Sequence, residues 1–230
     1  MVETFEKSTA AVREKVHESD QETVFLDSRL ALYGEKARWL AISDLHYGYE
    51  VRRRAEGGLW PMWGRETIES RVDDLVSSYQ PKTLILNGDI VDGAISGQKE
   101  VIKWLFALED RCDDLILIKG NHDKGALIRE FDWLPHFEIG EWVFHHGHRD
   151  FAGKNGQIEV VGHIHPAYRY SDGAGLSMKL PSFVAGETKW IMPAFSPWAG
   201  GVRYACEKSA KQWACSPRRV FQVDCAGYSQ

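Results

Sequence analysis

The chain has 230 residues, of which 43% are hydrophobic and 27% charged, with a formal charge of −5 and a pI near 6.0. At about 150 residues per domain this is one full domain with a modest extension, in the range of ordinary globular proteins. The acidic balance argues against a protein that coats nucleic acid through its overall charge, and no stretch approaches the roughly 18 apolar residues of a membrane span.

Residues 1–21 are polar, with apolar residues too sparse for a core stripe, and are expected to form a mobile arm; the main domain is expected over 22–205, with a C-terminal strand and tail, 206–230, packed on it. The opening residues hold no signal-like apolar core, so the expected compartment is the cytoplasm. Four cysteines (112, 206, 215 and 225) form no CxxC pair and are expected as reduced thiols in a chain of this size.

Residues 23–33 read as two short strands about a turn at Asp27 and Ser28, and 39–43 as a third. The run 47–65, YGYEVRRRAEGGLWPMWGR, lacks a steady period and reads as an excursion. After it, Ile68, Val72, Leu75, Val76 and Tyr79 share one helical face, closed by Pro81. Strand 83–87 with helix 99–108 repeats that grammar, as does strand 115–119 with a short helical segment over 124–130. Beyond residue 136 short strands predominate: WVFHH, IEVVG, AYRYS, LSMKLPSFV, KWIMPAF, VRYAC and RVFQV. The pattern predicts a sheet of βα units packed on a second, mostly antiparallel sheet.

Each of several apolar strands ends in metal-capable side chains: Asp44 and His46; Asp89 and Asp92; Asn121, His122 and Asp123; His145, His146 and His148; His163 and His165. Taken singly, each is as well explained by a turn or a cap. Together they hold seven of the nine histidines, and carboxyl-end loops of neighbouring strands converge on one crevice. Asp44 and His46 project to one side while Leu45 goes inward, and His163 and His165 repeat this about Ile164. Imidazole, carboxylate and amide donors suit Mn, Fe or Zn better than calcium or an all-thiolate site.

The ordered set Asp44-x-His46, Gly88-Asp89-x-x-Asp92, Gly120-Asn121-His122-Asp123, His146-Gly147 and Gly162-His163-x-His165 resembles the calcineurin-like metallophosphoesterases. The resemblance implies a four-layer α/β/β/α sandwich of two mixed sheets with two divalent ions, manganese foremost and iron or zinc as alternatives. It implies that Asp44, His46, Asp89 and His165 hold one ion, and Asp89, Asn121, His146 and His163 the other. His146 is favoured over His145 because it precedes Gly147, and strand alternation lets only one of the two face the metals. Stretches 145–149, 162–168 and 179–201 are similar to the PdeM-like, ligase-associated DNA damage response endonucleases, although Asp92 stands where many relatives carry His. That likeness implies a phosphodiester substrate, single-stranded DNA among the candidates, and DNA-repair protein partners.

His122 is then the expected proton donor to the leaving alkoxide, with Asp92 or Asp123 orienting its ring. Arg52, Arg53, Arg54 and Arg65, with His148, are candidates to meet the substrate, and Trp60 and Trp63 to stack on bases; a charged loop pinned by its tryptophans is the competing reading of 47–65. The acidic charge leaves a small-molecule phosphoesterase, acting on a nucleotide or a lipid-linked pyrophosphate, as the alternative function. A non-catalytic scaffold of the same fold is disfavoured because every expected ligand is present.

Overall fold

The computed structural model describes residues 13–93, 98–171 and 173–225. Residues 1–12 of the expected arm and 226–230 of the tail lie outside them. The chain enters on β1 (Arg13–Glu18), which runs antiparallel to β2 (Thr23–Asp27). This corrects the expectation of a free arm through residue 21: Arg13 packs its guanidinium over the Phe25 ring, 4.3 Å from its centre, and the strand's edge position leaves it mostly exposed, with no apolar alternation to read.

Next come β3 (Ala31–Gly34) and β4 (Trp39–Ile42), antiparallel, then β5 (Thr83–Asn87), β6 (Asp114–Ile118) and β7 (Trp133–Leu134), parallel to β4. These seven strands form one sheet in sequence order. Helices α1 (Tyr49–Ala55) and α2 (Gly64–Tyr79) join β4 to β5, α3 (Gln98–Glu109) joins β5 to β6, and α4 (Leu127–Glu130) joins β6 to β7. Parallel neighbours require such crossovers, and these put the ends of β4, β5 and β6 on one edge.

The second sheet comprises β8 (His136–Ile139), β9 (Trp142–His145), β10 (Ile158–Val161), β11 (Pro166–Ser171), β12 (Ser177–Ala185), β13 (Lys189–Ile191), β14 (Val202–Arg203), β15 (Lys211–Ser216) and β16 (Arg219–Val223). It is mixed: β10 pairs in parallel with β9 and β13. One buried cluster joins the inner faces of both sheets, with Trp39 wedged between Phe144, 5.1 Å away, and Trp142, 5.7 Å away. Removing a fully buried side chain of that size costs about 3–5 kcal/mol. The two-sheet α/β expectation is met. No helix among the described residues is long and apolar enough to cross a membrane.

Two further expectations are corrected. The excursion 47–65 contains α1, and its buried Glu50 accepts the Arg65 backbone N–H at 3.0 Å and the Trp198 indole N–H at 3.1 Å. Trp63, at the α2 N-cap, makes no side-chain capping bond, so a carboxylate distant in sequence serves that helix end, where negative charge is favoured. Cys206 and Cys225 are joined as a disulfide with Cα atoms 5.6 Å apart, leaving Cys112 and Cys215 free.

Candidate metal centre

The carboxyl ends of β4, β5 and β6 meet those of β9 and β10, and the loops are tied both across the two sheets and within the first. The His163 backbone N–H donates to Asp44 Oδ2 at 3.0 Å, and that of His122 to Asp89 Oδ1 at 2.8 Å. Asp44, His46, Asp89, His163 and His165 all have φ between 46° and 64°, a region costing about 1–3 kcal/mol for a side-chain-bearing residue. Strain gathered in this way, held by surrounding bonds, aims side chains that a relaxed strand end would turn away.

Among the described residues three groups form, in each of which the donor atoms lie within 4.8 Å of one another: Asp44, His46 and His165; Asp89, His146 and His163; and His46, Asp92 and His122. In the first, His46 Nε2 faces His165 Nε2 at 3.4 Å, and His165 Nε2 lies 3.0 Å from Asp44 Oδ1. In the second, His146 Nδ1 is held by the Asn87 carbonyl at 3.2 Å, which assigns its proton there and leaves Nε2 a lone pair. That Nε2 stands 3.2 Å from both Asn121 Oδ1 and Asp89 Oδ2. Asp89 Oδ2 is also 3.9 Å from His46 Nε2, so it lies between the two groups.

Such crowding of acceptors calls for positive charge, and the donor chemistry fits a divalent cation in each group. Protonation responds to the same field. Burial alone would lower the His146 pKa, but contact with Asp89 and the Asp44 charge outweigh it and raise it. Burial would likewise raise the Asp89 carboxyl, yet His146 and the His122 N–H hold it down at about 2. Burial lowers His163 and His148, with neighbouring His146 adding to the shift.

His122 and Asp92 form the outer edge of the centre. Asp92 Oδ1 lies 3.0 Å from His122 Nδ1, 3.4 Å from His46 Nδ1 and 3.3 Å from Arg52 Nη1. The hydrogen bond that His122 donates to Asp92 raises the His122 pKa against burial, and bonds accepted from His122 and His46 overcome the burial that opposes ionisation of Asp92, holding it below the usual carboxylate range.

The geometry corrects one expected role and places the other candidates. Asp123 does not orient His122: its buried carboxylate accepts backbone N–H groups from Val91 at 3.0 Å and Gly120 at 2.8 Å, while burial pushes its pKa up to about 6. Arg52 is bound to Asp92 and Glu56, and Arg53 to Glu56, with its guanidinium 5.0 Å from the centre of the Tyr49 ring. Trp60 and Trp63 pack on Trp198, at 5.4 and 4.2 Å, so the loop is pinned by its tryptophans. Arg54 is exposed on α1, and Arg65 lies 3.9 Å from Glu69. His148 packs 5.2 Å from His146, and its buried Nδ1 has no hydrogen-bond partner. His145 turns away from the cluster toward Glu159 at 3.3 Å and stacks on Phe151, so His146 is the one facing it.

Sequence reading missed Ser43 and Asn87. Ser43 Oγ lies 2.6 Å from Asp44 Oδ2 and 2.8 Å from the Asn87 carbonyl oxygen, and Asn87 Nδ2 donates to the Val160 carbonyl in the other sheet at 3.2 Å. Their place as the last polar residue before each Asp was the available signal.

The sequence profile of the calcineurin-like phosphoesterases matches residues 37–191. Pseudomonas putida nuclease MPE superposes with a TM-score of 0.71 at 21% identity, over 92% of this chain and 100% of that one, a likeness of fold. The phosphoesterase Yfce from E. coli gives a TM-score of 0.45 at 14% identity, over 81% and 98% of the two chains. No curated protein matches significantly.

Proposed function

The chain belongs to the calcineurin-like phosphoesterase family and is a metal-dependent phosphoesterase; from that premise we propose that it hydrolyses phosphodiesters in nucleic acid with two divalent ions, manganese foremost. The observation that carries the reading is Asp89, whose Oδ2 lies between the His46 and His146 nitrogens at 3.9 and 3.2 Å. In this reading Asp44, His46, Asp89 and His165 hold one ion, and Asp89, Asn121, His146 and His163 the other. When bound, such a pair supplies Lewis acidity toward phosphoryl oxygens and activates a water as nucleophile.

The chain's own residues do the rest. His122 keeps one proton on Nδ1 against Asp92 and carries a second on Nε2, which it gives to the departing alkoxide. The Asn87 carbonyl fixes the His146 ring, and the His163 backbone N–H fixes Asp44. The name of the fold neighbour, a nuclease, supports a diester substrate. One observation favours the small-molecule reading: Arg52 and Arg53 are engaged with carboxylates on their own side of the site.

Hydrolysis of bis-p-nitrophenyl phosphate, p-nitrophenyl phosphate, single-stranded DNA and nucleotides, each with Mn, Zn, Mg or chelator, tests the proposal. The expected result is Mn-dependent cleavage of the diester and of DNA in preference to the monoester. Turnover in chelator, or on the monoester alone, would refute it.

A further inference from the structure

A cavity of about 480 Å³, lined in part by His165 of the metal-capable cluster, opens between α2, β12 and the 194–201 segment. Its volume lies within the range of about 300–1,000 Å³ usual for ligand sites. Although the chain carries a charge of −5, no Asp or Glu lines this cavity, whereas Arg71 and Lys179 both do.

Arg71 differs from six of the chain's other arginines in its partners. Arg13, Arg29, Arg52, Arg53, Arg65 and Arg111 all have a carboxylate within ion-pair distance, and Arg71 has none among the described residues. Of its five N–H donors, one reaches the Phe195 carbonyl at 2.9 Å, and the guanidinium lies 4.9 Å from the centre of the Phe195 ring. Burial lowers its pKa with no acid to offset the shift, and a desolvated charge without a counter-charge is costly. Among the described residues Lys179 likewise has no carboxylate partner, and its Nζ reaches the carbonyls of Gly200 at 3.4 Å and Gly201 at 3.3 Å. Gly201, at φ 57°, lets the chain lie against the residues that lead into β11, where a Cβ would come 3.0 Å from the His165 carbonyl oxygen. Leu30, Pro166, Pro181 and Pro197 supply apolar walls.

We propose that this cavity binds a second phosphate of the substrate, neighbouring the scissile one, with Arg71 and Lys179 on its oxygens and the apolar walls against the attached nucleoside. The planar guanidinium fork suits phosphate oxygens, and the shared His165 places the cavity next to the reacting phosphate. The inference rests on the phosphodiesterase reading above and adds a substrate with at least two phosphates.

The test compares TpT, which has one phosphate, with TpTpT, which has two, using Mn-loaded parent, Arg71→Gln, Arg71→Lys and Lys179→Ala; pTpT and TpTp show whether a terminal phosphate serves as well as an internal one. The parent should prefer TpTpT, and Arg71→Gln should cut the ratio of kcat/KM for TpTpT to that for TpT by about ten- to a hundredfold, the worth of a charged hydrogen bond, with Arg71→Lys between. Lys179 is exposed, so Lys179→Ala carries the test even where Arg71→Gln fails to fold, and it too should lower the ratio. An unchanged ratio in Lys179→Ala and in any folded Arg71 variant, or equal losses on both substrates, would overturn the proposal and leave Arg71 as a prop for the Phe195 segment. A parent that cleaves TpT and TpTpT equally well would overturn it while leaving the phosphodiesterase reading intact; a parent inactive on both would remove both.

Discussion

His122 Nδ1 stands 3.0 Å from Asp92 Oδ1 while its Nε2 points toward Asp89 Oδ2, 4.0 Å away, so one carboxylate holds the ring and the other marks the reacting side. His122→Ala should keep its metal and lose about 10²–10⁴ in kcat on a DNA diester, the usual worth of a general acid. The loss should shrink on bis-p-nitrophenyl phosphate, whose leaving group needs no proton. Equal losses across a series of leaving groups would contradict the role. Asp92→Asn should lose about 10–100-fold, as for residues that orient others.

In the proposed arrangement Asp89 is shared by the ligand sets of both ions. Asp89→Ala should therefore abolish activity and lower bound metal in both groups, whereas His163→Ala should affect one. Metal content after Mn loading and gel filtration is the measurement. A variant retaining two ions per chain would mean that Asp89 does not bridge.

How much of this was legible in the sequence depended on where each signal resided. The clusters at Asp44, Asp89, Asn121, His146 and His163 could be read because each follows an apolar strand, and parallel topology sends such ends to one place. Strand β1 could not, because REKVHE lies at a sheet edge and carries no alternation. The short α1 is stabilised by the bond of Glu50 to Trp198, a partner 148 residues away, so no local pattern announces it. Between Asp92 and Asp123 the sequence could not choose, because adjacency to His122 says nothing of direction: the Asp123 carboxylate points back to the Val91 and Gly120 N–H groups. Arg71 sits next to the buried Val72 on α2, and only the folded structure shows that its guanidinium has no carboxylate partner among the described residues.

Gly88 separates backbone strain from steric conflict at the centre. Its φ is 84°, and a Cβ there would strike the His146 imidazole; Gly156 has the same φ and nothing within 4 Å. Gly156→Ala should cost only the backbone strain, about 1–3 kcal/mol. Gly88→Ala should cost more in urea denaturation and also weaken Mn binding, because His146 must move. Equal stability losses with unaltered metal affinity would show that the imidazole has room.

The bond between Cys206 and Cys225 closes a 19-residue separation, fastening the segment after β14 to the end of β16. Cross-links over loops of about 15 residues stabilise by roughly 3 kcal/mol, mainly by restricting the unfolded chain. Unfolded, unreduced protein should therefore expose two reactive thiols, Cys112 and Cys215, and reduction should expose all four. Cys225→Ser should lower the urea midpoint by an amount corresponding to roughly 3 kcal/mol. It should leave metal stoichiometry unaltered, since no proposed ligand lies in the fastened segment. Four reactive thiols in denaturant without reductant, in protein purified under oxidising conditions, would show that the pair is not bonded in solution.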